Sequence, residues 1–174
     1  MTDLYRVGIK FFAENSNTVH LKEFVPIFHS WIQKQCIDGH QLIDVHDYSH
    51  VHNGPGILLV AHEGNFNTDM ADGKLGLAYF RKLASNPTTE GVIRESLQTV
   101  RQAIALLKED LAGKLRFRQD ELLVIANDRL LAPNEAKSFE GLKAPLTAVF
   151  GKNASFKHLS DGTKDRLTIQ VKLH

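Results

Sequence analysis

Val7, Ile9 and Phe11 alternate with Gly8, Lys10 and Phe12 within LYRVGIKFFA (4–13), the period of a strand with one buried face. The step changes after the polar run ENSNT. Leu21, Phe24, Val25, Phe28, Trp31 and Ile32 recur at threes and fours, which predicts a helix over 21–36 with Asn17 or Thr18 as cap and Pro26 near its true start. Residues 41–52 and 57–66 flank Asn53-Gly54-Pro55-Gly56, whose glycines tolerate positive φ and whose proline fixes a turn. The pair reads as a β-hairpin. Its second arm, ILLVA, is apolar at every position and suits a strand covered on both faces.

A loop rich in Gly and Asp leads to KLGLAYF, a further strand. Pro87-Thr88-Thr89-Glu90 then opens the strongest helical stripe, Ile93, Leu97, Val100, Ile104, Leu107 and Leu111, which ends at Gly113. LRFRQDELLVIAND predicts a hairpin turning at Gln119-Asp120. A helix over 134–150, interrupted by Gly141 and Pro145, precedes the alternating strand RLTIQVKL. The predicted order is β-α-β-β-β-α-β-β-α-β. Hairpins outnumber crossovers, so the expectation is one α+β domain spanning 1–174, a mainly antiparallel sheet with about three helices packed on one face.

Composition narrows the function classes. The chain of 174 residues is 43% hydrophobic with a net charge of +1, enough apolar surface for one core. It lacks the basic field that drives non-specific nucleic-acid binding, and the local patch Arg116, Arg118 and Arg129 has only Phe117 as aromatic company. Nucleic acid is therefore not an expected partner. No apolar run is long enough to cross a membrane, and the start carries no secretory pattern. With Cys36 as the single cysteine, the expectation is a cytoplasmic protein with an inert, buried thiol.

Catalytic motifs fail position by position. His62-Glu63 begins a zinc-protease signature, yet Phe66 stands where the second histidine belongs. Asn65, Asn67 and Asp69 have a calcium-loop spacing without its central glycine or final glutamate. Glycine-rich phosphate loops, the G-x-S-x-G elbow and CxxC pairs are all missing.

Histidine is the residue that stands out. His40, His46, His50, His52 and His62 fall within one short stretch. On a regular strand His46, His50 and His52 share a face with Tyr48, and a four-residue turn at 53–56 sets Glu63 opposite His46; a one-residue bulge brings His62 onto that face instead. His46, His50, His52 and His62 are thus the candidate ligands for a divalent transition metal, because imidazole suits zinc, nickel, copper and iron. The simpler reading leaves them on the wet side of a hairpin.

A second candidate pocket combines two strand exits. His62, Glu63 and Asn65 follow ILLVA, and Asn127, Asp128 and Arg129 follow LLVIA, positions where polar side chains converge. The alternative for the second exit is a turn stitched by its own Asn and Asp side chains.

The segments GPGILLVAHEGN (54–65), DGKLGL (72–77) and NDRLLAPN (127–134) resemble those of a family of uncharacterised bacterial proteins of this length. The resemblance covers most of the chain and implies a bacterial, cytosolic, single-domain protein; it brings no activity with it. Two readings of function follow. The favoured one is a non-catalytic binding or interaction protein, with self-association through a sheet edge or the long helix. The other is an enzyme or a metal- or small-molecule-binding protein built on the histidine hairpin.

Overall fold

The first strand, β1 (Val7–Ala13), lies in the middle of the sheet although it comes first in the chain. The computed structural model describes residues 3–15, 18–159, 162 and 164–174; the candidate cap Asn17 lies outside them. Val7, Ile9 and Phe11 are fully buried on one side of β1. Side chains of this kind each contribute about 1.5–3 kcal/mol when buried.

Helix α1 (Phe24–Lys34) follows a single 3-10 turn at Leu21–Glu23, so Pro26 falls in the first helical turn, where its missing N–H is not needed. Phe24, Phe28 and Trp31 form its buried stripe, and the Trp31 indole donates to Asp110 Oδ2 at 2.7 Å. A four-strand meander comes next: β2 (Leu42–Tyr48), β3 (Gly56–Ala61), β4 (Gly64–Asp69) and β5 (Gly76–Arg81). Helix α2 (Thr89–Asp110) is capped by the Thr88 hydroxyl, which accepts from Gly91 N. The chain ends with β6 (Phe117–Ala126), α3 (Ala136–Phe150), β7 (Ser155–His158) and β8 (Thr168–Lys172).

Among the described residues these eight strands form one antiparallel sheet in the order β2-β3-β4-β5-β1-β6-β8-β7. Buried residues of all three helices join Val7, Ile9, Phe11, Leu59, Phe66, Leu77, Val124 and Ile169 in a single hydrophobic core. The helices therefore cover one face, as an α+β reading requires. The opposite face carries Lys10, Asn67, Ala78, Leu123 and Ile125, all buried without belonging to that core. No helix among the described residues is long and apolar enough to cross a membrane.

Three elements differ from the expected order. Residues 64–69 form a strand, in which Gly64, Phe66 and Thr68 face the helices while Asn65, Asn67 and Asp69 face the open side. Residues 117–126 form one strand in place of a hairpin; its register against β1 shifts between the pairs Phe11–Leu122 and Ala13–Phe117, and at Gln119-Asp120 the Asp120 carbonyl accepts from Leu173 N at 2.8 Å. The short β7 is additional and, among the described residues, pairs only with β8.

The histidine hairpin also departs from expectation. Strand β2 stops at Tyr48, and residues 49–55 turn through backbone bonds from Val51 to Tyr48 and from Gly54 to Val51. The register sets His46 opposite Leu58 and Tyr48 opposite Gly56, not Glu63 opposite His46. Gly56, at φ 63°, is the residue this turn needs: a Cβ there would stand 2.2 Å from the Thr68 carbonyl oxygen.

Candidate functional site

Strand β5 carries two polar-headed side chains toward the helices. Tyr79 and Arg81 alternate with Phe80, so the register that buries Leu77 directs both toward the covered face. Tyr79 has no exposed surface, and Arg81 keeps 8%. Room for the Tyr79 ring comes from Gly64 on the neighbouring strand, where a Cβ would lie 2.6 Å from the phenol oxygen.

His40, in the loop after α1, meets that phenol. Its Nε2 lies 2.6 Å from Tyr79 Oη and its Nδ1 lies 2.8 Å from the Asp38 carbonyl oxygen. A carbonyl can only accept, so Nδ1 carries the hydrogen and Nε2 accepts from the tyrosine. Arg81 Nη1 in turn donates to Tyr79 Oη at 3.4 Å. The result is a chain from guanidinium to phenol to imidazole, flanked by Phe66, whose ring centroid is 4.8 Å from that of Tyr79.

Burial sets the charge states along this chain. Desolvation pushes the Tyr79 pKa up to about 12, with the Arg81 charge opposing it. Desolvation also lowers the His40 pKa, against the Asp38 carbonyl and Glu63, which favour the charged ring. Near neutral pH the phenol is therefore protonated and the imidazole is neutral, as the hydrogen-bond directions require.

A cavity of about 450 Å³ opens beside this chain. His40 and Arg81 form one wall, and Glu95, Gln98, Thr99 and Gln102 of α2 form the other. Arg81 Nε is tied to the Leu83 carbonyl at 3.1 Å, which fixes the guanidinium plane. Glu95 is fixed as firmly: Ser85 Oγ and Asn86 Nδ2 both donate to it, and the Ser85 bond is the first cause of its lowered pKa. The two opposite charges nevertheless stand 3.9 Å apart, longer than a charge-assisted hydrogen bond of about 2.8 Å. Gln102 holds the loop leading to His40, accepting from Asp38 N and donating to the Cys36 carbonyl.

The sequence-predicted residues distribute differently. Glu63 does border this region: its Oε2 accepts from Gln41 N at 2.8 Å. Desolvation raises its pKa, while the Gln41 bond and the nearby His40 bring it net below the ordinary value. His62 is exposed at the β3–β4 turn, and Asn65 Oδ1 accepts weakly from Ala61 N on the open side of the sheet. Asp128 closes a turn by accepting from Leu130 N and Leu131 N, the stitched-turn alternative. Arg129 is exposed, and Asn127 accepts from Arg166 at 3.0 Å.

The four candidate metal ligands do not meet. His46 is half exposed on β2 and lies 3.5 Å from Asp44, whereas His50 and His52 border a depression at the opposite end of the hairpin from His62. The strand that was to align them ends at Tyr48, so their common face is lost. Among the described residues, no three His, Cys, Asp or Glu side chains converge in a way that could hold a metal ion. Cys36 is half-buried, and desolvation raises its thiol pKa.

Sequence reasoning missed Tyr79, Arg81 and Glu95 and left His40 among the other histidines. The available signal was Tyr79 and Arg81 at alternate positions of an otherwise apolar strand, sharing the face of Leu77. No known family model matches the chain, and no curated protein matches it either.

Proposed function

We propose that this chain is a non-catalytic binding protein whose ligand is a small zwitterion held in the cavity beside His40. The observation that carries this reading is the Arg81–Glu95 pair. Each group is fixed by separate partners and neither closes on the other. A ligand carboxylate opposite Arg81 and a ligand ammonium opposite Glu95 would complete both charges, with Gln98 and Thr99 offering neutral hydrogen bonds. Binding is favoured over catalysis because both nitrogens of His40 are already engaged and the Tyr79 hydroxyl is sealed from solvent. A general acid or base needs a proton site within reach of a substrate.

Thermal melting with a panel of free α-amino acids, each beside its amide and its decarboxylated amine, tests the reading. At a concentration of about 100 Kd a bound zwitterion stabilises by about 2.7 kcal/mol, an unmistakable rise in Tm. The rise should require both charges of the ligand and should vanish in Arg81→Met and Glu95→Gln. A panel that leaves wild-type Tm unmoved, or a rise that both variants retain, removes the proposal.

A further inference from the structure

The opposite face of the sheet holds a separate cavity of about 560 Å³, independent of the one beside His40. Adjacent residues on β5 serve the two faces: Tyr79 and Arg81 point to the helices, and Phe80 points to the open side. The floor of the open cavity is apolar. Leu123 and Ile125 lie on it, Phe80 sits over Gly8, and Leu159 stands at the rim with 41% of its surface exposed. Gly8 makes that floor possible, since a Cβ there would be 2.4 Å from the Phe80 ring.

Two cations border this floor and differ in kind. The Lys10 ammonium has three acceptors, Asp69 Oδ2 at 2.7 Å, the Lys74 carbonyl at 2.9 Å and the Ala71 carbonyl at 3.2 Å. Three donors meet three acceptors, so Lys10 has nothing left to offer a ligand. Arg166 is the opposite case. Its guanidinium carbon lies 4.9 Å over the Phe80 ring, and Nη1 donates to the neutral Asn127 amide. Among the described residues no carboxylate comes within salt-bridge distance of Arg166, although Asp69 and Asp165 also line the cavity. Partial desolvation lowers the Arg166 pKa, Asp69 raises it, and the charge of Arg129 lowers it again. The guanidinium remains fully charged, with N–H donors still free above an apolar floor.

We propose that the open face is a binding site for a free amphipathic carboxylic acid, its carboxylate paired with Arg166 and its hydrocarbon part laid on Leu123, Ile125, Phe80 and Leu159. The acid supplies what the site lacks: a planar anion for the guanidinium and apolar surface for Phe80 and Leu159, the members of this floor that keep exposed area. The volume lies within the range of small-molecule sites, about 300–1,000 Å³.

Isothermal titration of the full chain with sodium octanoate, beside 1-octanol as the neutral analogue of equal length, tests this assignment. Octanoate should bind saturably with one site per chain, and octanol about tenfold more weakly, the ratio that a charge-assisted bidentate pair supplies. Arg166→Gln should cost octanoate that same factor and leave octanol unchanged. Leu159→Ser, at an exposed rim position that leaves the fold intact, should weaken both. Octanoate affinity unaffected by Arg166→Gln, or no saturable binding by the wild type, overturns the proposal. Neither variant touches the cavity beside His40, so the zwitterion reading stands or falls separately.

Discussion

Lys10 and Arg81 are both nearly buried cations on neighbouring strands, yet they face opposite sides of the sheet and end in opposite states. Lys10, 1% exposed, is closed by three acceptors, and its carboxylate Asp69 lies 2.7 Å away. Arg81 faces a carboxylate at 3.9 Å across a cavity. A buried charge with every donor satisfied ties loops to a sheet; one whose partner is held just out of reach has attraction to spare. The first is a structural clamp, and the second suits the recognition role proposed for it.

The clamp should give the largest response. Asp69→Ala leaves the Lys10 ammonium buried with carbonyls alone and should lower stability by about 3 kcal/mol in urea denaturation. Lys10→Met should cost visibly less, because Asp69 retains 16% side-chain exposure and can turn to water. Equal losses in the two variants would mean that Lys10 contributes by packing and not by charge.

On the recognition side a smaller loss is expected from Tyr79→Phe. Removing the hydroxyl strands His40 Nε2 and one Arg81 donor, a cost of about 1–2 kcal/mol by the same denaturation assay. Arg81 should remain in place through its bond to the Leu83 carbonyl, so zwitterion binding weakens without disappearing. Complete loss of binding would make the phenol a direct contact.

The smallest effect is the pH dependence of the same chain of bonds. Desolvation lowers the native His40 pKa below its ordinary 6.5. Above 6.5 the ring is neutral in both states and its contribution is fully present. As pH falls below 6.5 the unfolded chain takes up a proton that the native state resists, so stability declines until the lowered native pKa is passed. The slope of Tm between pH 6.5 and 5 should flatten in His40→Asn. An unchanged slope would assign the dependence to another group.

Periodicity made the helices and most strands readable. The stepping of Ile93 to Leu111 specifies α2, and Val7, Ile9 and Phe11 specify β1, because each stripe is local and strongly apolar. Strand β4 was hidden because Asn65, Asn67 and Asp69 look like loop residues until β5 is beside them. The Gln119-Asp120 pair reads as a turn in isolation; in the fold it is an irregularity within β6, between the β1 pair at Phe117 and the ladders that resume at Glu121 and Leu122, an instance of tertiary context overriding local signal. The cavity beside His40 was hard to read for the same reason at larger scale. His40 and Tyr79 are separated by 39 positions, Arg81 and Glu95 come from a strand and a helix, and their meeting depends on the α1–β2 loop. The alternation of Tyr79 and Arg81 marks the strand half of this cavity, but nothing local marks its meeting with His40 and Glu95.

The position of β1 sets the order in which the molecule can assemble. Its partners are β5 and β6, so Ile9 contacts Tyr79 on one side and Val124 on the other. The meander β2–β5 can zip through short connections, but the first strand must stay unpaired on one edge until the chain has been made past residue 126. Closing such long loops is entropically slow, and a chain dominated by these pairings belongs to the slower folding regime. During synthesis VGIKFF therefore keeps one strand edge open until β6 has been made.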